Sequence, residues 1–454
     1  MIDTLLLDNT GSRLLSCNPN AEGTIVIPDS ILEIESNGFE GGINVTGIIM
    51  SDNVIKIGHS AFKDCDNLYF VTLSNKVEHL EFELFSYCRR LHIINLPLSL
   101  KTIEAAAFEM CSNLNTLHFP KGLEYIGKGS FIGSGLKDVV LPLGLYKIDD
   151  DGFCNCHELV SCVLPNSVLE LGHSCFRGCE KLQNTEIPNG VKTIDNGAFG
   201  GCDSITEFYI PSSVEKIGRG AFCGQNVENI YVSKNNPNYK SVDGILFDKG
   251  MSVLHTYPRN KKLLSYTIPI STRIIMSDAF AGSIHLRNII FNENISEIGE
   301  SSFSNSGIET LELPNSISKI PFQAFRYCKS LKKLSLGKDT ENIADWAFCD
   351  CSSLVEIHIP SSIRYIGKSA FCFCYSLERI YIPEAKVKIC EGAFGWSHVK
   401  EIHLGVEDPT IFVDDFIDYI HPENCTLYIP FGTKYAYQNH PLFKDFKTIL
   451  YESI

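Results

Sequence analysis

Cys202-Asp203-Ser204-Ile205-Thr206-Glu207-Phe208-Tyr209-Ile210-Pro211 runs into Ser212-Ser213-Val214-Glu215-Lys216-Ile217-Gly218-Arg219-Gly220-Ala221-Phe222, and this stretch decides the fold. Phe208 and Ile210 flank Tyr209 with the two-residue alternation of a half-buried strand, and Ile205 precedes them as a further apolar anchor. Pro211 then stops the strand, because it has no N–H to give to a ladder. Val214 and Ile217 make a second short extended piece. Gly218 follows it, where a turn with unusual dihedrals is expected. Ala221-Phe222 closes the unit in what is expected to be a helical turn.

The same pattern recurs along the chain. Its phenylalanine falls at positions 39, 62, 85, 108, 131, 153, 176, 199 and 222, and again at 280, 303, 325, 348, 371, 394 and 416. Within the two runs every step is 23 or 22 residues. Twelve of the 19 prolines occupy the strand-ending slot, among them Pro97, Pro120, Pro142, Pro165, Pro188, Pro360 and Pro383, so proline here punctuates a period. Glycine after the isoleucine recurs at Gly58, Gly127, Gly299 and Gly367, with Asp149 and Asp195 as substitutes. A fixed period of this length means stacked coils, each stabilised by its neighbours. The Phe positions are expected to form one buried ladder. About seventeen strands at roughly 4.8 Å would extend on the order of 80 Å.

Nine of the 18 cysteines stand three residues after the Phe: Cys65, Cys88, Cys111, Cys156, Cys179, Cys202, Cys328, Cys351 and Cys374. After Phe131, Phe303 and Phe394 that cysteine is missing, and the next Phe arrives one residue early. The lost residue falls in the same turn each time: Gly133-Ser134-Gly135, Asn305-Ser306-Gly307 and Trp396-Ser397-His398.

The unit L-x-x-I-x-I-P-x-x-V-x-x-I-G-x-x-A-F-x-x-C resembles the BspA-like, or treponemal-type, leucine-rich repeat over essentially the whole chain. The expected fold is therefore an α/β repeat solenoid, a leucine-rich-repeat arc of 22–23-residue units with a parallel β-sheet, short helical turns and an inserted β-hairpin. The break between the Phe runs fits the resemblance. Asn235-Asn236-Pro237-Asn238-Tyr239, Ser241-Val242-Asp243-Gly244-Ile245-Leu246-Phe247-Asp248 and Val253-Leu254-His255-Thr256-Tyr257-Pro258 look like the family's hairpin. Asp3-Thr4-Leu5-Leu6-Leu7-Asp8 and Leu14-Leu15-Ser16-Cys17-Asn18-Pro19 repeat it at the start. The expected division is a hairpin-like cap over 1–23, repeats over 24–232, a β-hairpin insertion over 233–264, repeats over 265–425 and a closing cap over 426–454. The resemblance implies a binding or adhesion protein of a bacterial or protist surface.

Bulk composition narrows the function classes. With 44% hydrophobic and 20% charged residues the 454-residue chain is ordered, not a low-hydrophobicity, high-charge polymer. A net charge of −15, with 39 Lys and Arg against 54 Asp and Glu, argues against nucleic acid or an anionic membrane as partner. No apolar run approaches a membrane helix. Met1-Ile2-Asp3-Thr4-Leu5-Leu6-Leu7-Asp8 has no basic stretch ahead of its leucines, unlike a secretory signal. A cytoplasmic location or a removed leader are both compatible with that.

No catalytic motif is present: no His-Glu-x-x-His, no phosphate-binding loop, no Gly-x-Ser-x-Gly. No cofactor and no metal is expected. Gly127-Lys128-Gly129 and Gly218-Arg219-Gly220 are the repeat's turn with a second glycine. Cys154/Cys156, Cys349/Cys351 and Cys372/Cys374 form Cys-x-Cys pairs, but one member of each is the repeat cysteine, expected as a small buried hydrophobe. Parallel side-chain directions on neighbouring coils fit a disulfide poorly. Asp149-Asp150-Asp151 lacks the spaced oxygens of a calcium loop. Asn44-Val45-Thr46, Asn294-Ile295-Ser296 and Asn424-Cys425-Thr426 match a glycosylation pattern at a chance frequency.

The outward strand positions offer a candidate surface. Stacking sets equivalent positions side by side, so the fifth position reads Ile290, Glu312, Ser335, His358, Tyr381, His403 and Tyr428 down the second half. Tyr209 and Tyr231 occupy the same row earlier, with His118 further up. A row of rings suits a protein or glycan contact. The third position reads Lys333, Glu356, Arg379 and Glu401, an alternating charge ladder that would hold register. The expected function is non-enzymatic presentation of this face to a protein or glycan partner by a monomer. The alternatives are a cytoplasmic interaction scaffold and a polysaccharide-active enzyme on a β-solenoid.

Overall fold

The computed structural model describes residues 4–183, 186–384, 387–412, 416 and 420–452. Met1, Ile2 and Asp3 of the expected first cap, and Ser453 and Ile454 of the closing one, lie outside these. The chain divides into two compact units, Met1–Asn238 and Tyr239–Ile454. Each is a stack of coils carrying two parallel ladders and a Phe-bearing turn.

The stretch from Cys202 to Phe222 shows how one coil is built. Glu207–Ile210 is the first strand and Lys216–Ile217 the second. Cys202, Ile205, Phe208, Ile210, Val214, Ile217, Ala221 and Phe222 are all buried, whereas Tyr209 faces out. The apolar residues of a single coil cannot cover one another, so the core exists only between coils. Pairing keeps the sequence period: Ile25, Ile48, Val71 and Ile94 stand in register on the first ladder, and Thr193 pairs with Lys216 on the second.

The phenylalanines form a stack in each unit. From Phe39 to Phe199 neighbouring ring centroids lie 5.0–5.5 Å apart with the planes within 22°. In the second unit the stack begins with Tyr257 against Phe280 at 4.9 Å and continues to Phe394. Such offset stacking suits the ring quadrupoles and fills the space between coils.

The Phe turn is not helical, which corrects the expectation of a helical turn and of an α/β class. Ser174, two residues before Phe176, and Gly178, two residues after it, both have positive φ. These left-handed residues break any right-handed helix and turn alternate N–H groups along the stack axis. Ser174, Phe176 and Gly178 donate to the carbonyls of Asn196, Ala198 and Gly200 on the next coil. Cys175, Arg177 and Cys179 between them close local three-residue turns onto Gly172, Ser174 and Phe176. Every backbone donor of the turn is therefore satisfied, half of them between coils. Among the described residues the one α-helix is Lys434–Gln438, in the closing segment.

Gly218 is also placed for another reason than expected. It does not have positive φ; a Cβ on it would lie 2.3 Å from the backbone nitrogen of Asn196 on the preceding coil. Close approach of two backbones, not an unusual dihedral, requires glycine there.

Each unit opens on antiparallel strands. Leu5–Leu7 pairs with Arg13–Cys17, and Ile245–Asp248 with Val253–Thr256, with the same register irregularity in both pairs. Asp8 and Asp248 play matching roles, each accepting from the backbone N–H of Arg13 and Val253 respectively. The segment expected as one inserted hairpin over 233–264 differs from that picture. Tyr239–Val242 adds a third antiparallel strand, and Val253–Thr256 enters the second ladder by pairing in parallel with Ile274–Ile275. It is the ladder's first rung, because its Leu254 points into the same core as Ile275.

Candidate functional sites on the first-strand face

The first strands present their outward side chains in register. In the second unit His358 pairs with Tyr381, Tyr381 with His403, and His403 with Tyr428. Their rings stack at 4.1, 4.3 and 4.3 Å between centroids, with planes 3°, 21° and 2° apart. Strand spacing brings the four rings into contact, and the contact fixes their rotamers. The row continues past Tyr428 to Leu450 on the strand Thr448–Tyr451. Upstream of it Glu312 pairs with Ser335, and Ile290 is exposed.

Charges flank the rings. Arg379 donates to Glu356 Oε2 through Nε at 3.0 Å and Nη2 at 2.8 Å. This bond holds the Glu356 carboxyl below the usual range. Arg379 pairs in register with Glu401, whose carboxylate lies 3.6 Å from His403. His403 Nδ1 lies 2.9 Å from Glu452, a contact across the end of the stack. His358 Nε2 lies 3.7 Å from Glu356. Burial in the row pushes the Tyr381 phenol up. Lys333 stands on the neighbouring strand Lys333–Ser335, at the head of the charged row.

In the first unit Tyr209 pairs with Tyr231, and their rings stack at 5.0 Å and 27°. Tyr209 is 66% exposed. Glu207 holds both phenols: Tyr209 Oη lies 3.3 Å from one carboxylate oxygen and Tyr231 Oη 3.4 Å from the other. A cavity of about 970 Å³ opens beside this pair, between Val163 and Val232. His118 is exposed in a stretch without regular strand.

Thus two groups form: the four rings from His358 to Tyr428, and Tyr209 with Tyr231. Sequence reasoning missed Glu452 and the cavity. Glu452 directly follows the closing strand Thr448–Tyr451, and no repeat spacing points to it. The cavity left no residue pattern.

Other polar clusters are structural. The nine repeat cysteines lie beneath the Phe turns, and each donates its thiol to the carbonyl of the Phe on the preceding coil, as Cys179 does to Phe153 at 3.1 Å. They are donors, not merely small hydrophobes. Burial pushes most of these thiols up, Cys328 to about 11. All 18 cysteines are free. Cys372 donates to Cys349 across coils, Sγ to Sγ 3.1 Å, and that bond with the nearby Arg326 stabilises the Cys349 thiolate. Asp149 accepts from Tyr125 Oη at 2.6 Å, and Asp150 from the N–H of His173. Among the described residues no three His, Cys, Asp or Glu side chains gather as metal ligands. No helix among them is long and apolar enough to cross a membrane.

Comparison with known proteins agrees with this architecture. No curated protein matches the chain. Among solved structures, a leucine rich cell surface protein from Faecalibacterium prausnitzii is similar, at 23% identity and TM-score 0.54, over 84% of this chain and 93% of that one. A leucine-rich repeat protein from Bacteroides ovatus is 22% identical with TM-score 0.48, over 100% and 99% of the two chains. The pneumococcal vaccine antigen PcpA is 19% identical with TM-score 0.44, over 98% and 93%. The family described as BspA type leucine rich repeat region (6 copies) matches residues 32–160, 126–247, 256–343 and 319–418. With the repeat unit, both ladders and this match covering most of its length, the chain belongs to the BspA-type leucine-rich repeat family.

Proposed function

We propose that this protein is a non-enzymatic binding protein that holds a protein or glycan partner against the first-strand face of its repeats. The observation that supports it is the contact row of four rings, His358, Tyr381, His403 and Tyr428, stacked at 4.1–4.3 Å. Rings locked by their neighbours bring apolar area to a partner while losing little side-chain freedom on binding. Their polar atoms and the flanking Glu356–Arg379 pair supply directional contacts at the rim. An adhesive role on a cell surface fits the family and the similar leucine rich cell surface protein of Faecalibacterium prausnitzii.

The test is a binding screen of the full chain against immobilised extracellular-matrix proteins and a glycan array. The Tyr381→Ala/His403→Ala double variant is expected to lose the signal with its circular dichroism unchanged. Undiminished binding by that variant would remove this row from the function.

A further inference from the structure

We propose that the cleft beside Tyr209 and Tyr231 in the first unit binds a neutral oligosaccharide. The inference rests on the reading of the first-strand face as the binding surface and gives that surface a ligand class at one place.

Size is the first support. About 970 Å³ suits several sugar rings and lies at the upper end of small-ligand sites, which span roughly 300–1,000 Å³. A folded protein partner needs a broad face instead, because a standard interface buries roughly 800 Å² on each side.

The second support is the platform. Pyranose rings carry an apolar C–H face that packs flat on an aromatic ring. Tyr209 offers such a face at 66% exposure, backed by Tyr231 at 5.0 Å. Glu207 bridges both phenols and fixes the ring planes before any ligand arrives. The site is preorganised, so little side-chain entropy is lost on binding.

The third support is the kind of polar group around the platform. Gln183 and Asn189 line the cleft with amides, and Glu186 and Glu207 with carboxylates. Amides both donate and accept, matching the hydroxyl groups of a sugar, which do the same. Two carboxylates face one lysine, Lys234, on a chain of net charge −15. A polyanionic glycan would be repelled there, and a neutral one is not.

The experiment titrates the full-length chain with cellotetraose, maltotetraose and mannotetraose, with polygalacturonate as the anionic comparison, by calorimetry and ligand-observed NMR. One or more of the neutral tetrasaccharides is expected to bind. Tyr209→Ala should weaken that binding by about tenfold. Glu207→Gln should weaken it too, and Tyr381→Ala should leave it unchanged. Tyr209 is exposed, so the thermal melt should not move; Tyr209→Phe, which keeps the platform, should retain most of the affinity.

Absence of binding by every neutral tetrasaccharide at about 10 mM overturns the proposal. So does binding that survives Tyr209→Ala, or binding of polygalacturonate alone. If Tyr381→Ala abolishes sugar binding and Tyr209→Ala does not, the cleft assignment fails while the wider surface reading stands. If a protein partner is lost with the His358–Tyr428 row and no sugar binds, the cleft proposal fails by itself.

Discussion

Cys202 donates its thiol hydrogen to the carbonyl oxygen of Phe176, 3.1 Å away and one coil plus three residues earlier. The same contact recurs at all nine repeat cysteines. Ser397 in that slot donates to Phe371 O at 3.5 Å, whereas the Ser134 and Ser306 hydroxyls meet Cys156 and Cys328 Sγ at 3.3 Å. Cys202→Ser is expected to keep the bond and cost under about 1 kcal/mol. Cys202→Val removes the donor and adds bulk, and should cost about 1–2 kcal/mol. Urea unfolding of the two variants, followed by circular dichroism, distinguishes them; equal losses would mean the thiol acts only by volume.

The phenylalanine stack carries more of the stability. Phe176 is fully buried between Phe153 and Phe199, at 5.5 Å from each. Phe176→Ala should destabilise the first unit by about 3–5 kcal/mol, and Phe176→Leu by clearly less. Hydrogen exchange should report the loss first at amides of the flanking coils, since each coil is stabilised chiefly by its neighbours.

Ala106 sits two residues before Phe108 at φ 55°, where glycine stands one coil later as Gly129 at φ 61°. A β-carbon is strained in that region. Ala106→Gly is therefore expected to stabilise the protein by about 1 kcal/mol, and Gly129→Ala to destabilise it by a similar amount. Opposite shifts of the melting temperature would bear this out. A fall in both would point to contacts of the Ala106 methyl instead.

Glu356 makes a pH-dependent contribution. Its carboxyl is held low by Arg379, so the folded state binds the proton less readily than the unfolded chain. The stabilisation is present above the unfolded value, about 4.3, and is lost as pH falls through the folded one. Arg379→Gln should lower the stability slightly near neutrality, by under about 1 kcal/mol because the pair is exposed, and flatten the profile below about pH 4.3, so that the two proteins converge in acid. Thermal melts from pH 2.5 to 7 on both proteins would show a wild-type acid limb steeper than the variant's.

The surface residues are partly legible in the sequence. A side-chain period of two and the 22-residue step of the shortened coil place Tyr381 beside His403 by counting alone, and the ring contacts follow from strand spacing. The Tyr209 cleft was not legible, because a cavity is set by the packing of side chains from several coils and leaves no signature in residue types. Glu452 was likewise invisible, since its contact with His403 joins residues 49 apart, outside the repeat interval.

The sequence by itself determined the coil, the inward set from Cys202 to Phe222 and the rows on the outer face, because burial and period act locally and repeat. The tertiary structure alone decided the Phe turn. Ser174 and Ala106 have no local reason to adopt positive φ, and Ala-Phe in isolation reads as helix. Hydrogen bonds to the next coil, such as Phe176 N–H to Ala198 O, over-determine the strained backbone and hold it left-handed. The same stacking brings Gly218 against Asn196 and Cys202 against Phe176. Those bonds exist only between coils, so no single repeat could reveal them.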